Sequence, residues 1–181
     1  MSALTLRRLT KGAALAALCL GLAGCSLLSD KSDNDSKACP SLRLPDELSH
    51  VSRYVGTGRD YASLAYSAQI LHVKGDCSDQ DDGAAVVDVS FDLVSSIGPA
   101  ARVRSTDFPY FIAVVDSQDQ ILTKSVFPSP VAFPEGRARA GWSETQEITI
   151  PAPKQGSARA DRIVVGLQLT SDELKTNLNG R

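Results

Sequence analysis

His50 and His72 are the two histidines of this 181-residue chain, and acid-base chemistry near neutral pH would draw first on one of them. His50 lies in a polar connection and His72 at the end of an alternating stretch, where surface or rim histidines are ordinary. A serine nucleophile would need such a base, oriented in turn by a third group, and no serine here sits in Gly-x-Ser-x-Gly. Carboxylates offer a second route, since Asp88, Asp92, Asp116 and Glu147 could pair across space to cleave a glycosidic bond. Asp88 and Asp92 share one strand face, and the plain role for both is the wet side of a sheet.

Two further patterns fall short of a site. Asp76-Cys77-Ser78-Asp79-Gln80-Asp81-Asp82-Gly83 is the most acidic stretch. Setting the glycine of a helix-loop-helix calcium loop on Gly83 makes Ser78, Gln80 and Asp82 the early ligands and puts Val89 where a glutamate belongs. A solvated strand connection fits better. Gly56-Thr57-Gly58-Arg59-Asp60 is a turn signal without the Gly-Lys-Ser/Thr of a phosphate loop. No metal and no cofactor is implied.

Cysteine usage is more informative. Leu22-Ala23-Gly24-Cys25 follows an apolar run from Gly12 and, before it, Arg7, Arg8 and Lys11. The run spans 13 residues, against about 20 for a membrane-crossing helix, so residues 1–24 read as a cleaved leader. The tetrapeptide resembles the lipobox of bacterial lipoproteins. That resemblance implies diacylglycerol on Cys25, release by the type II signal peptidase, N-acylation, and contact with the lipoprotein sorting machinery. Ser26, in place of Asp, implies the outer membrane by the sorting rule of enteric bacteria. With Cys19 lost and Cys25 acylated, Cys39 and Cys77 remain as a pair in an oxidising compartment. A disulfide closing that loop would contribute about 4 kcal/mol in the chain-entropy model. A redox or metal pair fits their wide spacing less well. The leader also removes three basic residues, so 16 of 19 Lys and Arg face 21 Asp and Glu, a formal charge of −5. Such a surface is unsuited to nucleic acid, and membrane contact would rest on the acyl chains.

The elements that must hold these residues read as strands. Ser26 to Ala38 is polar and aperiodic, a tether reaching roughly 20 Å. Residues 39–181 form the domain. Pro45-Asp46-Glu47-Leu48 opens a short helical turn. Leu64 to Lys74 alternates and stops at Lys74-Gly75, and Ala85 to Leu93 alternates most cleanly, ending at Gly98-Pro99. Phe108 to Asp116 is apolar on both faces, hence central, and turns back through Asp116–Gln120 into Ile121 to Phe127. Pro128, Pro130 and Pro134 predict a long loop or irregular edge through Trp142, before strands at Glu144 to Ile150 and Ile163 to Leu169. Thr170-Ser171-Asp172-Glu173 has capping-box spacing for a short C-terminal helix. Six or seven strands with few helices predict an all-β chain, a single antiparallel β-sandwich, immunoglobulin-like in the broad sense.

Cys39-Pro40, Gly58-Arg59-Asp60, Cys77, Gly98-Pro99, Asp107-Phe108-Pro109-Tyr110-Phe111 and Gly166-Leu167-Gln168-Leu169-Thr170 together resemble a group of uncharacterised alphaproteobacterial lipoproteins, which implies no activity. A non-catalytic module for protein interaction or envelope assembly is the expectation, with Phe127, Phe133, Arg137, Arg139 and Trp142 as interface residues, since aromatics and arginine favour interface anchors. Trp142 could equally plug the core. The alternative is a small envelope hydrolase acting on peptidoglycan or glycans. Replacing Cys25 by Ala should abolish palmitate incorporation in growing cells; undiminished labelling would contradict the lipid anchor.

Overall fold

The computed structural model describes residues 40–152 and 160–179, which fall in one compact unit. The expected leader, Cys25, the expected tether and Cys39 lie outside the described residues. Strict alternation from Ala85 makes β4, Ala85–Ile97, bury Ala85, Val87, Val89, Phe91, Leu93 and Ser95 on one face. Around it a four-stranded antiparallel sheet runs in the order β2-β3-β4-β9, with β2 at His50–Tyr54, β3 at Leu64–Asp79 and β9 at Arg139–Ile150.

The facing sheet has the order β1-β10-β6-β7, with β1 at Ser41–Arg43, β6 at Tyr110–Asp116, β7 at Ile121–Phe127 and β10 at Ala160–Leu167. β1 joins it parallel to β10; the other pairings are antiparallel. β6 is buried at every position, as its unbroken apolar run predicts. Its inner residues Tyr110, Ile112 and Val114 join Ile163, Val165 and Leu167 of β10 against the buried face of β4. Phe91 meets Tyr110 edge to face across the two sheets, ring centroids 4.8 Å apart. Burying each such ring contributes about 1.5–3 kcal/mol. The architecture is the expected all-β sandwich, with a small third sheet pairing β5, Ser105–Asp107, with β8, Pro130–Ala132.

Two helices close one side. α1, Asp46–Ser49, places Leu48 against Gly166, where an added Cβ would come within 2.7 Å of the leucine Cβ. α2, Ser171–Asn179, starts at the expected capping box. Thr170 N–H donates to Glu173 Oε2 at 2.7 Å, and Glu173 N–H to Thr170 Oγ1 at 3.2 Å.

Three expectations need correction. β3 does not stop at Lys74-Gly75. An irregularity between Leu71 and Lys74, with His72 at φ +51°, shifts the register, and pairing with β4 resumes through Asp79. Cys77 and part of the acidic stretch therefore lie in a strand, and the connection shrinks to a tight turn at 80–84. Second, β9 begins at Arg139, because it pairs with β4 along its whole length, from Arg139 opposite Ser96 to Ile150 opposite Ala85. Its inward residues include Glu144 and Gln146, which hide the period-two pattern. Third, there are ten strands among the described residues rather than six or seven, since three-residue strands leave no periodicity to read.

Candidate functional site

The residues expected to form an interface do not share one surface. Phe133 is 2% exposed and stacks near Tyr66 in the core, so it cannot anchor a partner. Phe127 stacks on Tyr110 at 5.2 Å. Trp142 lies half-buried on β9, and its indole N–H donates to Glu144 Oε1 at 2.8 Å and Ser129 Oγ at 3.2 Å. Its ring packs against the edge of the core. Arg137 and Arg139 are exposed, the latter beside Leu71 and Val94 in a shallow outer-face depression. Glu144 is the hub of the Trp142 cluster. It also accepts from Ser129 Oγ at 3.1 Å and faces the Tyr110 hydroxyl, which receives Gln146 Nε2 at 2.8 Å.

The groups that could do chemistry are tied into hydrogen bonds and strand pairs. His72 Nδ1 lies 2.8 Å from Asp92 Oδ2, and Ser143 Oγ donates to Asp92 Oδ1 at 2.6 Å. Serine, histidine and aspartate thus meet on the outer sheet face, with the carboxylate in the centre. A nucleophilic triad needs the imidazole there. Donation by Ser143, then His72, holds the Asp92 carboxyl below its usual range, which makes it a weak base. His50, Asp46 and Glu173 line a space of about 250 Å³ between β2 and α2, but Glu173 is committed. Its Oε1 accepts from Arg53 Nε at 3.0 Å while Oε2 caps α2. Burial works to raise the Glu173 pKa, and these hydrogen bonds outweigh it and hold the group below the ordinary value. Asp88 pairs opposite Glu147 between β4 and β9. Among the described residues no group of three or more His, Cys, Asp or Glu is placed to hold a metal ion. Cys77 is disulfide-bonded, its partner lying outside the described residues.

The sheet edges are the surfaces that stand out. β7 is an edge strand whose side chains are exposed along almost its full length. Ile121, Leu122 and Val126 are 62%, 46% and 51% exposed. Its register on β6 slips between Val114 and Val115, which leaves Leu122 unpaired. Edge strands normally carry charge, proline or a covering element. β7 has a single charge, Lys124, whose ammonium lies 4.1 Å over the Phe111 ring, and no proline. These residues were legible as a hairpin strand. Their edge position was not, although apolar residues of both parities beside a turn signal hint at it.

The second edge, β2, has α2 beside it. Asn177 Nδ2 donates to the carbonyls of His50 and Glu47, both at 2.8 Å. Beyond that cap, helix and strand enclose the 250 Å³ space and an adjoining one of about 340 Å³, which share Ser52, Tyr54, Glu173 and Thr176. With this geometry in hand, comparison with known proteins finds no matching family model, no matching curated protein and no matching solved structure.

The Glu144 cluster has a measurable signature. Burial first, then the facing Glu144 carboxylate, pushes the Tyr110 hydroxyl from 10 up to about 12. The native state therefore holds this proton more tightly than the unfolded chain does, and stability should fall as pH rises through 10 towards 12. Thermal melts of Tyr110→Phe should lose that alkaline component relative to the parent. Parallel Tm-against-pH curves above pH 10 would show that Tyr110 is not its source.

Proposed function

We propose that the protein is an outer-membrane lipoprotein, anchored through acylated Cys25 and facing the periplasm, whose non-catalytic sandwich docks an envelope protein. The observation that carries this reading is β7, a seven-residue edge strand with no neighbour on its outer side among the described residues, exposing Ile121, Leu122 and Val126. Strand edges with exposed apolar side chains are templates for another chain, and main-chain hydrogen bonds supply affinity there. The lipobox supports the anchor, and the disulfide at Cys77 accords with an oxidising compartment. Cys39 is the proposed partner. Leu42, three residues after it, packs where a Cβ on Gly75 would stand 3.3 Å away, two residues before Cys77.

The described chain enters through β1, at the opposite edge of its sheet from β7. Three strand spacings separate the two edge strands, about 14 Å. A photo-crosslinking residue at Leu122 should trap a discrete envelope protein in living cells, and Val126→Glu should weaken that crosslink about tenfold with Tm little changed. The same residue at Tyr61, exposed but remote in sequence, serves as the control. Identical crosslink patterns from Leu122 and Tyr61 would contradict docking at β7.

A further inference from the structure

Directly opposite residues of neighbouring strands share a face, and on the outer face of the β2-β3-β4-β9 sheet one such row crosses all four strands. Ser52 stands opposite Ser67, Ser67 opposite Ser96, and Ser96 opposite Arg139. The short serine side chains leave a depression of about 540 Å³ above them, which Gln69, Leu71 and Val94 also line. Elsewhere on this face the polar groups satisfy one another, as Asp92 does with His72 and Ser143. Along the serine row they do not. Among the described residues, the hydroxyls of Ser52, Ser67 and Ser96, the Gln69 amide and the Arg139 guanidinium have no hydrogen-bond or ion-pair partner. Arg139 is also the only Lys or Arg that lines the depression among the described residues, and no Asp or Glu joins it.

We infer that this depression binds the carboxyl terminus of a peptide, with the terminal carboxylate on Arg139 and an apolar last side chain over Val94 and Leu71. The planar guanidinium fork matches a carboxylate bidentately. One cation offsets one negative charge, whereas a phosphate dianion would seek two. Val94 precedes Ser96 by two residues along β4, about 7 Å, a span comparable to that between the carboxylate and the side-chain tip of a single residue. The serine hydroxyls and the Gln69 amide both donate and accept, and they are left for the peptide groups before the terminus. No Phe, Tyr or Trp ring lines the depression, so a sugar has no aromatic face to stack on. Asp92 lies four residues along β4 from Ser96, about 14 Å away, and is engaged by His72 and Ser143, so it does not compete for Arg139. The site is on the opposite sheet from β7 and does not rest on docking there.

The probe is an array of random hexapeptides with free carboxyl termini, screened with the full chain purified in detergent. The strongest binder is then measured in solution as the acid and as its C-terminal amide. Bound sequences should favour an apolar last residue, and amidation should weaken binding at least tenfold. The bound acid should shift the backbone amide resonances of Ser67, Gln69 and Ser96. Arg139→Gln, at an exposed position, should also weaken binding at least tenfold, and Arg139→Lys should restore only part of it because an ammonium lacks the fork. Ser67→Trp, which fills the depression, should abolish binding, and Val126→Glu should leave it unchanged. No binder on the array, equal affinity for acid and amide, or parental affinity in Arg139→Gln overturns the inference. The comparison of acid with amide uses the parent chain, so it decides the matter even where a variant fails to fold. The reading of β7 would survive a negative result.

Discussion

Stacking two sheets face to face buries their inner surfaces and leaves four edges of unpaired backbone groups, and the rest of this protein follows from how each edge is managed. β1 keeps its edge to three residues. β9 turns a polar row outward, with Arg139, Ser143, Thr145 and Glu147 exposed. β2 is capped at its start by Asn177 and flanked by α2. Among the described residues β7 has none of these devices beyond one lysine and a slip in register. Open edges invite aggregation, and β7, apolar and uncovered among the described residues, is the edge that the proposed docking would use.

The interior explains why the edges can be left open. β6 sits between β10 and β7 and is buried on both faces. Tyr110 stands where the sheets meet, edge to face with Phe91, stacked on Phe127, and hydrogen-bonded through its hydroxyl to Gln146 of the opposing sheet. The side of the sandwich beneath β7 and β9 is thereby sealed by Tyr110 and the Glu144 cluster. The other side is sealed by α1 and α2, with Leu48 seated on Gly166 and Glu173 paired to Arg53. A core closed on both sides holds its strands in place without help from a partner on either edge.

Period-two alternation in β4, the two-sided apolar run of β6 and the capping box of α2 were legible in the sequence because each is a local pattern with a local cause. The extension of β3 was not, since a positive φ at His72 belongs to a bulge that only pairing with β4 defines. Nor was the start of β9, where Glu144 and Gln146 point inward to serve Tyr110 and Trp142. The exposed edge was the hardest part to read. Aromatics and arginine at 127–142 looked presentable, yet Phe133 and Phe127 are packed against core tyrosines, whereas Ile121 and Leu122 resembled ordinary strand residues. Edge position is a property of topology, which one strand's residues do not encode.

Under the proposed docking, β7 is occupied in the envelope and open when the protein is alone. Amide hydrogen exchange of the chain in isolated outer-membrane fragments, set against the same chain purified in detergent, measures this directly. Docking at β7 should slow exchange markedly across Ile121–Phe127 in the membrane fragments, with the buried amides of β6 unchanged. Equal exchange of β7 in both preparations would contradict it.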